Sequence, residues 1–331
     1  MTNTQAKTHK EWERPIVELE ENVAKLREAA RREKDDQKRT EYEAQADRAE
    51  AQSEKYLRLL YANLGPWEKT LVARAEKRPY TLDYVQAIFT DFVELQGDRR
   101  GFADHAIVGG PAKLNGKPVM VLGHQKGRNI QDRQLRNFGY ARPEGYRKAI
   151  RLFQMAERFR MPVVTFVDTP GADAGVEAEA RGISEAIAAS IFAMFELTVP
   201  SVSVIIGEGG SGGAIGIAAS SRVLMLEHSI YSVISPEGCA SILWRAPERG
   251  ADAAKALRLT AESALQYGMI DGIIPEPVGG AHRDPLATSA SVREALLENL
   301  GSFEGQDGPT IREERYAKFR KMGQFEICEP L

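Results

Sequence analysis

Residues 207–213 read Gly-Glu-Gly-Gly-Ser-Gly-Gly and stand between an apolar run at 202–206 and a small-residue stretch that opens at Ala214. Five of the seven lack a side chain. Glycine inside a regular element costs about 0.5–1 kcal/mol relative to alanine, so this density predicts a strand-to-helix corner where something touches bare backbone. The first turn of a helix leaves its N–H groups without intrahelical acceptors, which suits a phosphate or an oxygen on which negative charge develops. The same composition also serves close packing of strand on helix with no ligand. Glu208, inside the run, weighs against phosphate, because like charges repel.

The surrounding texture is α/β. Short apolar runs at 119–122, 163–167, 202–206, 223–226 and 230–234 predict buried strands. Between them Tyr146, Ala149, Ile150, Phe153, Ala156 and Phe159 mark one helix face, and Ile183, Ile187, Ile191 and Met194 another. Ahead of this body, Ile16, Leu19, Val23, Leu26 and Ala30 form one stripe at helical spacing, and Tyr42, Ala46, Ala49, Ser53, Tyr56 and Leu60 a second. A charged stretch at 34–39 separates them and Gly65-Pro66 comes after, so residues 1–65 read as an antiparallel helical hairpin. Its stripe is too thin for an independent domain, so it packs on the body or on a partner chain. The body spans 66–300, and residues 301–331 read as a charged tail.

At 331 residues and 43% hydrophobic the chain has material for one large core. Its 44 basic and 47 acidic residues give no general case for nucleic-acid binding. Cys239 and Cys328 lack CxxC spacing and make neither a disulfide framework nor a zinc site. The polar stretch 1–10 has no apolar h-region, and no run approaches the roughly 18 apolar residues of a membrane span. The expectation is a cytoplasmic protein without membrane contact, nucleic acid or metal.

Three motifs compete for chemistry. Asp168-Thr169-Pro170-Gly171 has the form of a GTPase switch, but no GxxxxGK[ST] loop accompanies it. It reads better as a second strand-end turn that aims the N–H groups of Gly171 and Ala172 into a shared cleft. Gly209-Gly210-Ser211-Gly212-Gly213 fits the nucleophile elbow, with Asp271 and His282 coming later in the required order. His105, His124 and His228 read as structural histidines, and Glu237 as a carboxylate at a helix N-terminus. Eight basic residues between 126 and 151, Lys126 and Arg128 first among them, either hold a polyanion or form a solvated helix face.

Taken together the segments resemble the alpha subunits of bacterial acetyl-CoA carboxylase carboxyltransferase. The likeness rests on Tyr80-Thr81-Leu82-Asp83-Tyr84, Gly123-His124-Gln125-Lys126-Gly127-Arg128, Pro143-Glu144-Gly145-Tyr146-Arg147-Lys148, Asp168-Thr169-Pro170-Gly171-Ala172, the run 207–214, Ser235-Pro236-Glu237-Gly238-Cys239 and Gly279-Gly280-Ala281-His282. It covers residues 12–300. The resemblance implies a crotonase-like (ClpP/crotonase) fold of stacked ββα units, and an α2β2 enzyme whose beta subunit carries a zinc ribbon. It also implies transfer of a carboxyl group from carboxybiotin to acetyl-CoA, giving malonyl-CoA for fatty acid synthesis. The biotin would be covalently held on a separate carrier protein that also serves a biotin carboxylase. Gly209 and Gly210 would then bind the biotin ureido oxygen, with Gly171 and Ala172 as second backbone donors and Lys126 and Arg128 as substrate contacts.

The sequence departs from the family after Ala172, where Tyr-Pro-Gly is usual and Asp173-Ala174-Gly175 stands here. That change predicts a looser turn with added charge near the cleft. The stretch 96–102 also reads one residue longer than usual. The rival readings are a self-sufficient acyl-CoA enzyme with Glu208 or Glu237 as base, a serine hydrolase using Ser211, and a scaffold subunit.

Overall fold

The computed structural model describes residues 8–323. The first seven residues and those from 324 on, Cys328 among them, lie outside the described residues. Seven strands form one mixed sheet: β1 (Ile107–Leu114), β2 (Lys117–His124), β3 (Val163–Thr169), β4 (Ser201–Gly210), β5 (Arg222–Leu226), β6 (Ile230–Ser232) and β7 (Gly272–Ile274). The order is β1-β2-β3-β4-β5-β7, and β6 pairs with the far end of β4. Only β1 and β2 run antiparallel. Asn115 and Gly116 join them at φ 49° and 78°, the left-handed pair that lets a two-residue turn match the twist of its strands.

Alternation along the strands sorts side chains to two faces. Met120, Leu122, Val163, Val167 and Ile205 face Tyr146, Leu152, Phe153, Ala186 and Met194, from the helices Pro143–Arg158 and Ile183–Phe195. Val121, Val164, Phe166 and Val204 face Tyr84, Ile88, Val292 and Leu296, from the helices Thr81–Ile88 and Pro285–Gly301. Both faces being covered, β3 is buried throughout and β4 as far as Gly209. On the helix Pro143–Arg158, Leu152 takes the core place expected of Phe159, which sits at the helix end and is exposed. The strand expected at 230–234 ends at Ser232.

The helices Arg14–Arg32 and Asp36–Tyr61 lie side by side, the second capped by the Asp35 carboxylate. Their buried side chains are few: Ile16, Ala30, Ala46, Ser53 and Tyr61. At the base of the pair Glu13 is buried against the body, meeting Arg283 at 3.1 Å. Burial alone would raise the Glu13 carboxyl, but His282, His9, Arg283 and Tyr61 hold it far below the ordinary carboxylate range.

The stretch read as a charged tail instead contains the helix Gly308–Arg320, docked on the body. Arg315 on this helix is 1% exposed and donates to the carbonyls of Met194 (2.8 Å), Leu197 (2.7 Å) and Val199 (3.1 Å). Two of these residues lie just beyond the helix Ile183–Phe195, so the guanidinium adds donors where the chain leaves the helix.

Candidate functional site

β3 and β4 keep register from Val163↔Ser201 to Val167↔Ile205 and resume it at Thr169↔Gly209. Asp168 alone on β3 therefore faces Ile206, Gly207 and Glu208 on β4, a bulge that bends β4 and re-aims its last residues. Two hydrogen bonds and one bare residue hold it. The Glu208 N–H donates to Asp168 Oδ1 at 2.9 Å, and Arg78 Nε donates to the Ile206 carbonyl at 2.7 Å. A Cβ on Gly207 would stand 2.4 Å from Asp168 Oδ1, so residue 207 must be bare.

An alternating chain of charges fills the space beside the bulge. Lys126 Nζ meets Asp168 Oδ1 at 2.7 Å and Glu208 Oε2 at 2.8 Å. Arg74 meets the other Glu208 oxygen at 2.7 Å and Glu237 at 2.6 Å. Burial alone would raise the Glu208 carboxyl; Lys126 and Arg74 outweigh it and hold the group down to about 2. Arg78 and Glu276 form a parallel, fully buried pair at 2.6 Å behind it. The Glu276 carboxyl is likewise pushed up by burial and held down to about 2, chiefly by Arg78. Glu208 is thus a fixed anion and not a base poised near neutral pH.

Past the bulge, Gly209 pairs with Thr169 and Tyr231, and Gly210 with Ser232. A Cβ on Gly210 would meet the Pro170 carbonyl oxygen at 2.2 Å, and one on Gly213 the Ala172 nitrogen at 2.5 Å. Close backbone packing between the turns 168–172 and 210–213 therefore accounts for these two glycines. It does not account for Gly212, whose Cβ would meet nothing nearer than the Ile187 side chain at 3.7 Å. Ser211 is exposed at φ 52°, a left-handed conformation that costs a non-glycine residue on the order of 1–3 kcal/mol. The helix Ser211–Ile215 is one turn long and no side chain caps it, so the full helix dipole expected here reduces to a few uncapped N–H groups.

Several expected contacts are committed elsewhere. The Gly171 N–H donates to Thr169 Oγ1 at 3.1 Å, which occupies one of the two second donors and leaves Ala172. Lys126 spends its charge on Asp168 and Glu208, inside the protein. Arg128 donates to the Glu76 carbonyl at 3.0 Å and the Arg78 carbonyl at 2.9 Å, pairs with Asp83, and stacks on Tyr80 at 4.1 Å. The rest of the basic run behaves alike: Arg136 reaches Asp132 and the His105 carbonyl, Lys148 the Asp104 carbonyl, and Arg151 the Gln96 carbonyl. These cations brace loops.

Asp173 does not loosen its turn. Its Oδ1 accepts from the Gly175 N–H at 2.8 Å, and its Oδ2 meets Asn137 at 3.1 Å and Arg142 at 3.5 Å. Nor does a serine triad assemble. Asp271 accepts from the Val223 N–H and from Lys318, at the opposite end of the parallel strands, while His282 lies against Glu13 and His9. Burial pushes the fully enclosed His124 down to about 3, so it is neutral.

The bulge opens onto a cleft of about 170 Å³ lined by Arg74, Tyr80, Lys126, Phe138, Pro170 and Glu208. Pockets for drug-sized ligands run about 300–1,000 Å³, so this cleft is smaller than such a pocket. Among solved structures the fold matches a transcarboxylase 12S core (TM-score 0.56, 19% identity, 77% of this chain and 44% of that one). It also matches a Pseudomonas malonate decarboxylase hetero-tetramer in complex with coenzyme A (TM-score 0.57, 19% identity, 72% and 95%). The architecture is the α/β crotonase-like fold of carboxyltransferases. Residues 9–323 match the model of the family described as acetyl co-enzyme A carboxylase carboxyltransferase-like. Acetyl-coenzyme A carboxylase carboxyl transferase subunit alpha of Geobacter metallireducens is 52% identical over 95% of this chain and 97% of its own length. The Synechococcus elongatus protein of that name is 50% identical over 95% of each. With a sheet that bends into a glycine-lined corner and a sequence that tracks these relatives nearly end to end, the chain belongs to the acetyl-CoA carboxylase carboxyltransferase alpha-subunit family.

Proposed function

We propose that the chain is the alpha half of a carboxyltransferase that moves a carboxyl group from carboxybiotin to acetyl-CoA, giving malonyl-CoA for fatty acid synthesis. The beta subunit, with its zinc ribbon, supplies the other half in an α2β2 assembly. Biotin arrives covalently bound to the carrier protein, after a biotin carboxylase has loaded it, and the setting is the cytoplasm. No helix among the described residues is long and apolar enough to cross a membrane.

The observation that carries the reading is the bulge at Asp168. It sets Gly209, Gly210 and the uncapped turn from Ser211 directly after Glu208, which lines a small cleft together with Pro170 and Lys126. Release of CO2 from the ureido nitrogen leaves negative charge on the ureido oxygen, and fixed N–H donors in a water-poor site stabilise such charge; one donor is typically worth about 2.7–4 kcal/mol. Gly209 and Gly210 are assigned this role, with Ala172 beside them. Because Glu208 is locked between two cations and Glu237 is tied to Arg74, neither is the methyl-proton acceptor, and the released biotin enolate itself takes that proton, restoring the ureido N–H.

The test is malonyl-CoA decarboxylation with biocytin as acceptor, using this chain alone, the beta chain alone, and both. Turnover in the mixture only supports a divided site. Turnover by this chain alone would favour a self-sufficient acyl-CoA enzyme, and none with a proven partner would leave a scaffold.

A further inference from the structure

A cluster of metal-ligand type lies away from this corner, where the first helical turn, His9–Trp12, meets the loop after β7. His9, Glu13 and His282 each turn one ligand atom into a common space, all within 4.8 Å of one another. His9 Nε2 stands 3.5 Å and His282 Nε2 3.7 Å from Glu13 Oε2. These separations are long for hydrogen bonds. They approach the edge of a tetrahedral zinc shell, about 3.4 Å for bonds of about 2.0–2.2 Å to nitrogen and oxygen.

The His282 ring gives an independent sign. Its side chain is 7% exposed, yet neither ring nitrogen has a hydrogen-bond partner. Buried polar atoms are nearly always satisfied, and the two open nitrogens of His282, unlike the open pair on His124, lie in a cluster of ligand-type groups. His9 meets this ring edge-on, centroids 4.4 Å apart, and reaches Glu13 across one turn of helix. Glu13 has room for a cation. The Tyr61 hydroxyl and Arg283 Nε address Oε1, and Arg283 Nη2 takes one side of Oε2, so that oxygen keeps a free lone pair. Arg283 opposes a cation, but its own charge is shared with Glu20 at 2.6 Å. Outer hydrogen bonds of this kind orient ligating carboxylates.

We propose that His9, Glu13 and His282 form a transition-metal site of the zinc class, with a fourth position open to a second cleft, which these three residues line with Arg14, Val17 and Arg283. The ion staples the start of the N-terminal hairpin to the loop after β7, closing a very long loop of chain. The site is independent of the carboxyl-transfer reading and departs from the expectation of a metal-free chain. An open fourth position makes the ion exchangeable, so hairpin docking would track the metal available.

The experiment is titration of the chelator-stripped full chain with cobalt(II), then zinc. A single equivalent of cobalt is expected, with the visible absorption of a four-coordinate ion and no thiolate charge-transfer band, displaced by zinc. Zinc should also raise the unfolding temperature and slow amide exchange across residues 14–61. His9→Asn and His282→Asn should each weaken binding at least about tenfold and abolish both zinc effects, while His105→Asn changes neither. A cobalt spectrum unaltered by His282→Asn, a thiolate band, or no uptake by the wild type would overturn the site. Exchange measured without metal on each variant shows whether it is folded before its spectrum is read.

Discussion

The glycine corner and the N-terminal hairpin both close on a buried carboxylate, and they are built in opposite ways. At the corner Asp168 and Glu208 sit on neighbouring central strands, and Lys126, Arg74 and backbone donors fix them from several directions. The hairpin is fixed at its base by Glu13 and then runs outward on a thin stripe. Its Arg27–Asp47 and Arg27–Glu50 pairs are solvent-exposed, and pairs of that kind contribute about 0–1 kcal/mol. A conformation held from many sides survives the loss of one contact with its shape intact. One held at a single end is released whole.

The largest expected effect is at the corner. Lys126→Met strands two buried carboxylates, and breaking such a pair costs about 3–5 kcal/mol, read as a lower denaturant midpoint. The sign with pH comes from Glu208, whose carboxyl is held down to about 2 from 4.5. Its contribution is complete above the unfolded value and is lost as pH falls through the folded one. The gap between variant and wild type should therefore narrow from about pH 4.5 to about 2; a constant gap would remove the linkage.

Next, Gly210→Ala drives a Cβ onto the Pro170 carbonyl. Expected are a drop in kcat of about 10²–10³, KM for malonyl-CoA unchanged, and an overpacking cost of about 1–3 kcal/mol. Glu13→Gln, in chelator, should cost about 1–3 kcal/mol locally: exchange speeds up across residues 14–61 while kcat with the beta chain holds. The smallest stability effect separates packing from ligand approach at the corner. Gly212→Ala has steric room, so stability should stay within about 0.5 kcal/mol while carboxyl transfer falls. Full activity there would show that ligand approach does not require a bare residue 212.

The corner's location is legible in the sequence because five glycines between a strand and a helix have few uses. Its construction is not. A bulge is a relation between two strands, three residues against one, and nothing along β4 alone records it. The charge network is hidden for the same reason: Lys126, Asp168 and Glu208 are far apart in the chain, and linear charge patterns describe surfaces. Lys126 and Arg128 therefore read as ligand contacts, and only the fold shows that each is also paired inside the protein. Two local signals do exist for elements that the sequence reading misses. Asn115-Gly116 between apolar runs announces the β1–β2 hairpin. Asp307, ahead of Gly308 and Pro309, announces the last helix, whose Arg315 only the tertiary fold reveals as buried.

β4 carries core side chains along its first half and the glycine corner at its end, joined through a bulge that Arg78, Asp168 and Lys126 hold in place. No hinge separates the reacting wall from the foundation, and any tilt of the corner would have to shear the sheet. This face therefore works as an anvil. Whatever swings, closes or lets product go during a turnover must belong to the pieces that arrive from outside, and the pace of those arrivals, more than any motion of this chain, would set the rhythm of the cycle.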